Sequence, residues 1–126
     1  DIPSHPDIRH LGFIPEEDKL SAISGAEILI NSSFYESFSI VLMEGWAMGV
    51  PALVNGRCDV LVGQCKRSNG GLWYQNAEEF KACLDWLLDH PDLAKQLGQN
   101  GRTYVKNNYS WEIMEQKYLS FLEKLL

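Results

Sequence analysis

Apolar positions along this chain change their spacing in a way that outlines alternating strands and helices, and then helices alone. Ile8 to Phe13 predicts a short strand ending near Gly12. Pro15 followed by Glu16, Glu17 and Asp18 opens a helix, because Pro suits the first helical position and acids suit the positive end of the helix dipole. Leu20 and Ile23 give that helix an apolar face, and Gly25 stops it. Ala26 to Ile30 reads as a buried strand, Asn31 to Phe38 as a polar and aromatic loop, and Ile40 to Met48 as a helix capped by Ser39 and ended by Gly49. Pro51 to Val54 is another buried strand. Asn55 to Gly71 carries four glycines and is read as a loop, and Leu72 to Tyr74 as a further strand.

Beyond residue 76 the period is helical throughout. Ala77 to Asp89 places Phe80, Leu84, Leu87 and Leu88 at helical spacing. Pro91 begins the next helix, with Leu93 and Leu97, although Gly98 and Gly101 weaken it. Ser110 caps a last helix whose stripe of Trp111, Met114, Tyr118, Phe121, Leu122 and Leu125 is expected in the core, the alternative being a contact with a further domain. Alternating strands and helices imply an α/β fold, a Rossmann-like three-layer arrangement with a parallel sheet and helices on both faces. Ligands in such sheets bind beyond the carboxyl ends of the strands, where the loop Asn31–Phe38 falls.

Composition narrows the partners. A length of 126 residues fits one domain, and the 45% hydrophobic content is ordinary for a globular core. The chain begins at Asp1, which raises the expectation that it is cut from a longer protein. The formal charge of −6, with basic residues scattered, argues against nucleic acid as a partner. No apolar run approaches the ~18–20 residues of a membrane span, while peripheral association of a parent protein with a membrane stays open. The three cysteines, Cys58, Cys65 and Cys83, lack the spacing of a zinc site or disulfide framework, and the simplest compartment is the cytoplasm.

The chemistry concentrates in Glu36 to Glu44. If a helix starts near Ile40, Glu36 lies in the loop before it, and Glu44 lies about 6 Å along the axis from the first helical amides. Free amides at a helix start suit a phosphate, and a carboxylate can accept two hydrogen bonds from adjacent ribose or sugar hydroxyls. The spacing therefore offers an ordered slot for sugar, diphosphate and ribose. The bland alternative is a pair of solvated acids.

The run from Glu36 through Glu44 resembles the E-x7-E motif of retaining glycosyltransferases of the GT-B fold, notably family 4. Leu11-Gly12-Phe13 with Pro15, Ala26 to Ile30 with Ser32-Ser33, Met48-Gly49-Val50-Pro51, and Tyr109-Ser110-Trp111-Glu112 are similar to that family's other landmarks, in the same order. The resemblance implies the carboxy-terminal, donor-binding half of a GT-B enzyme, with residues 1–126 as a single nucleotide-sugar-binding domain truncated at its amino-terminal side. It implies that Glu36 contacts the donor sugar as the catalytic-site acid. Phe38 and Ser39 would lie near that sugar through their amides, Ile40 and Val41 would hold the diphosphate, and Glu44 would bind the ribose. The resemblance implies no metal, because the helix dipole and basic side chains neutralise the leaving diphosphate, and no cofactor beyond the nucleotide-sugar donor substrate. An acceptor-binding amino-terminal domain is expected to be missing, together with a basic pair facing the diphosphate, so the fragment alone should be inactive.

The sequence also departs from that pattern. Ser37 and Ser39 stand where glycines are frequent, Gly45-Trp46 replaces Ala-Met, and Asn55 to Asp59 occupies the place of a Gly-Gly-x-x-Glu stretch. Roles for Arg57, Asp59, Lys66 and Arg67 stay open, as do the donor base, the sugar and the acceptor. His5, His10 and His90 read as turn or surface residues. The other classes weighed are a nucleotide-sugar epimerase-like isomerase and a non-catalytic nucleotide-binding module.

Overall fold

The computed structural model describes residues 2–126. Three short strands, β1 (Leu29–Asn31), β2 (Ala52–Asn55) and β3 (Gly71–Tyr74), pair in parallel in the order β1-β2-β3. Leu29 lies opposite Ala52, and Ala52 opposite Gly71. Six helices complete the described residues: α1 (Glu16–Ser24), α2 (Ile40–Ala47), α3 (Asp59–Ser68), α4 (Ala77–Asp89), α5 (Pro91–Tyr109) and α6 (Trp111–Leu125).

Alternation along β2 divides the core into two layers, as a pleated strand must. Ala52 and Val54 face Leu42, Met43 and Trp46 of α2 and Leu61 and Cys65 of α3. Leu53 faces the other way, toward Leu87 of α4 and Ala94 of α5. Helices thus cover both faces of a parallel sheet, as the alternating pattern implied, and α5 contributes to both layers. Helix α4 has the bounds read from its apolar spacing, and Asn76 caps it by accepting from the Glu79 amide at 2.9 Å.

Trp46 is fully buried and donates through Nε1 to the Gly70 carbonyl at 2.9 Å, tying α2 to the entrance of β3. The bulky residue that interrupts the helix pattern is therefore its main anchor. Its neighbour Gly45 leaves room for Leu29, whose Cδ2 would lie 2.6 Å from any added Cβ. Gly98 and Gly101, expected to weaken α5, do not interrupt it: both are buried where α5 crosses α2, Gly98 against the Gly49 backbone and Gly101 against the Trp46 ring.

Several expectations fail. The buried strand expected over Ala26 to Ile30 pairs only as Leu29–Asn31, with Ile30 46% exposed. Ile8 to Phe13 forms no strand, and Phe13 is fully exposed. An extended run becomes a strand only where a neighbour supplies ladder bonds, and none pairs with it here. The stretch read as a loop from Asn55 contains α3, whose buried face is Leu61, Gln64, Cys65 and Ser68. Two of those four are polar, which hid the helical period. Finally, α6 has no buried residue: Trp111, Tyr118 and Phe121 are 89%, 65% and 59% exposed. Ser110 does cap it, accepting from the Ile113 amide. Among the described residues no helix is long and apolar enough to cross a membrane.

Candidate active site

The loop from Ser32 to Ser39 leaves the carboxyl end of β1 and enters α2. Two asparagines shape it. Asn31, the last residue of β1, accepts from the Ser33 amide at 3.0 Å, and Asn55, the last residue of β2, donates to the Ser32 carbonyl at 3.2 Å. Phe38 packs edge-on against Tyr109 of α5, with ring centroids 5.0 Å apart. The loop is therefore pinned at its start, at Ser32 and Ser33, and near its end, at Phe38.

At the start of α2 the first turn is open. Its first bond is the Met43 amide to the Ser39 carbonyl at 3.3 Å. The amides of Ile40 and Val41 precede it and meet no acceptor among the described residues. Ile40 is 69% exposed and Val41 37%, while Ser39 before them is buried. Free amides and the dipole make such an end a site of positive potential. Ser39 departs from the expected cap: its side chain makes no bond to the helix, and its backbone is left-handed, with φ 70°. The buried hydroxyl turns instead to Asn31, whose Nδ2 lies 3.0 Å away.

The two acids are held separately. Glu36 is half-buried and accepts from the same Asn31 Nδ2 at 3.2 Å. Glu44 accepts from Lys19 of α1 at 3.1 Å, and Lys19 also pairs with Glu16 at 2.9 Å. Those hydrogen bonds, Glu16 first and then Glu44, raise the Lys19 pKa above its ordinary value. The structure thus brings Glu36 and Ser39 together on one amide, and it sets Glu44 one turn into α2 against a fixed cation. Asn31 and Lys19 were not singled out in the sequence. An asparagine closing an apolar strand is a faint signal of a buried polar role, whereas Lys19 lies 25 residues from Glu44 and gives none.

Several of the remaining candidates find structural partners. Arg67 donates from Nε to the Tyr104 hydroxyl at 3.3 Å, and Lys66 lies over the Trp73 ring. Asp59 sits in the first turn of α3, where it complements the dipole. His90 places Nδ1 2.8 Å from the Trp86 carbonyl. Burial pushes the Cys65 thiol up to about 12, which keeps it un-ionised and poorly nucleophilic at neutral pH. A concavity of about 540 Å³ opens among Ile30, Phe34, Arg57, Tyr74 and Phe80, also at the carboxyl ends of the strands. A second hollow lies at their amino ends, beside Glu27, Pro51, Leu88 and Lys95.

A parallel sheet with helices on both faces makes this a Rossmann-like α/β domain, with the start of α2 beyond the carboxyl edge of the sheet. Residues 5–104 match the family described as glycosyl transferases group 1, and the chain belongs to that family. It is 28% identical to glycosyltransferase 1 domain-containing protein 1 of Xenopus tropicalis, over 89% of this chain and 32% of that protein. It is 30% identical to MMP alpha-(1->4)-mannosyltransferase of Mycolicibacterium hassiacum, over 95% of this chain and 30% of that one. Among solved structures it resembles sucrose-phosphate synthase of Thermosynechococcus elongatus, with TM-score 0.79 and 26% identity over 91% of this chain and 29% of the other. The chain thus spans about a third of the length of these relatives.

Proposed function

We propose that this chain is the donor-binding part of a retaining family 4 glycosyltransferase that uses a nucleotide-diphosphate sugar. The observation that carries the reading is the open first turn of α2, with the unpaired amides of Ile40 and Val41 between Glu36 and Glu44. In this reading those amides receive the diphosphate. Glu44 binds the ribose hydroxyls through the oxygen that Lys19 leaves free. Glu36 binds hydroxyls of the sugar, and Phe38 and Ser39 line it. The bond broken joins the anomeric carbon to a diphosphate oxygen; the sugar passes to an acceptor hydroxyl, whose proton goes to the leaving diphosphate. The helix start stabilises the charge that gathers on the leaving diphosphate, so the reading invokes no metal.

The names of the relatives, a mannosyltransferase and a sucrose-phosphate synthase, favour a hexosyl donor. The match to about a third of their length, and the uncovered apolar stripe of α6, support a longer parent whose amino-terminal domain supplies the acceptor site. On this reading the fragment alone is inactive, and the parent works in the cytoplasm. An epimerase would need acid–base groups beside the reacting carbon, and the one hydrogen-bond partner of Glu36 among the described side chains is the neutral Asn31.

A panel of nucleotide sugars, followed by thermal unfolding of the parent protein, tests the reading. One donor is expected to raise the melting temperature, since a ligand present at a hundred times its Kd stabilises the folded state by about 2.7 kcal/mol. A panel in which no nucleotide sugar shifts the transition would contradict it.

A further inference from the structure

We propose that Asn31 is the positioning residue of this site: it aims Glu36, and it diverts the Ser39 hydroxyl so that the amides of α2 stay open for an anion. The inference deepens the glycosyl-transfer reading and rests on it.

Asn31 is buried and stands at the end of a strand, so its backbone is fixed by the β1–β2 ladder. Every part of its amide is engaged. Oδ1 accepts from the Ser33 amide at 3.0 Å. Nδ2 donates to Glu36 Oε1 at 3.2 Å and to Ser39 Oγ at 3.0 Å, which uses both of its protons. One oxygen of Glu36 is thereby held from behind, and the other remains available to a ligand. A serine preceding a helix ordinarily turns its hydroxyl onto the amides of the first turn and satisfies them itself. Ser39 does not, because its hydroxyl is bound to Asn31 and its backbone is in the left-handed region. A residue with a Cβ keeps that conformation only where its surroundings impose it. Asn31 is the contact that does so, and a single side chain therefore sets both the sugar-facing acid and the anion-facing helix end.

Asn31→Asp and Asn31→Ala in the parent protein separate the two effects. Aspartate still accepts from Ser33 and from the Ser39 hydroxyl, but it cannot donate to Glu36 and repels it. Expected for Asn31→Asp is a kcat lowered about tenfold or more, since hydrogen bonds to charged groups are among the stronger ones. The affinity for nucleoside diphosphate alone should stay within about twofold, because Glu36 does not touch it. Asn31→Ala releases the Ser39 hydroxyl to cap its own helix, so nucleoside diphosphate binding should weaken. Adding Ser39→Gly should restore that binding, because glycine has no hydroxyl and accepts φ 70° without strain. An unchanged kcat in Asn31→Asp, or kcat and diphosphate affinity falling together, would overturn the inference, as would a failure of Ser39→Gly to restore binding. Absence of turnover in the unmodified parent with every nucleotide sugar would instead refute the glycosyl-transfer reading beneath it.

Discussion

Replacing Glu36 with alanine in the parent protein is expected to lower turnover by about 10²- to 10⁴-fold while leaving the fold intact. A carboxylate that accepts from two sugar hydroxyls makes two charge-assisted bonds, each worth about 1.5–3 kcal/mol, and about 1.4 kcal/mol corresponds to a tenfold change in rate. The structural cost is small. Glu36 is half-buried, its one side-chain partner is Asn31, and Asn31 retains Ser39 when Glu36 is removed. Unfolding free energy should therefore change by less than about 1 kcal/mol, in the range of ordinary surface substitutions. Steady-state kinetics with the donor, alongside thermal denaturation, checks both halves. Turnover within a few-fold of the unmodified protein would remove Glu36 from the chemistry.

Gly98→Ala is expected to destabilise the domain severely, against the direction that helix propensity gives. In an exposed helix, Gly→Ala gains about 1 kcal/mol. Here the added Cβ would overlap the Gly49 carbonyl oxygen, come within 2.7 Å of its carbonyl carbon and meet the Pro51 nitrogen at 3.2 Å. All three are backbone atoms, and Gly49 is itself fixed at φ 76° in the turn that joins α2 to β2. Relief requires moving α5 away from α2, which would loosen Trp46 and the far side of the site. Overpacking costs about 1–3 kcal/mol where side chains can yield and more where they cannot, so a net loss of at least about 3 kcal/mol is expected. Gly63→Ala in α3 is the control: its Cβ would meet the mobile end of Arg67 at 3.2 Å, and the change should be neutral or mildly stabilising. Denaturant unfolding of the two variants reads the difference.

Much of this arrangement was legible from residue order, and the parts that were not share a cause. Helix α4 could be read to the residue because its inward positions, Phe80, Leu84 and Leu87, are all apolar at helical spacing. The order of strand, loop and helix around Glu36 could be read from the apolar runs, but β1 covers only Leu29–Asn31, and its buried residue is Asn31 rather than the apolar Ile30. Helix α3 escaped because Gln64 and Ser68 occupy buried positions, although Asp59 in its first turn and Lys66 and Arg67 in its last carried the dipole signature. Gly98 and Gly101 looked like weaknesses of α5 because the partner they admit, α2, lies some fifty residues earlier. Ile8 to Phe13 and α6 have the composition of buried segments but find no partner among the described residues to bury them.

The candidate site divides the same way. Its acids and its helix start follow from spacing within nine residues, Glu36 to Glu44. What positions them does not: Lys19 comes from α1 and Asn31 from β1, and neither residue type announces the role. The unusual conformation of Ser39 is likewise a property of the assembled loop, since a serine before a helix reads as an ordinary cap.

The most direct measurement is a titration of the isotopically labelled parent protein with nucleoside diphosphate, followed by backbone amide resonances. The account predicts that the largest shifts fall on Ile40 and Val41, with a smaller response at Glu44 and Lys19. Shifts centred instead on the concavity between Ile30 and Phe80, with the first turn of α2 silent, would contradict it.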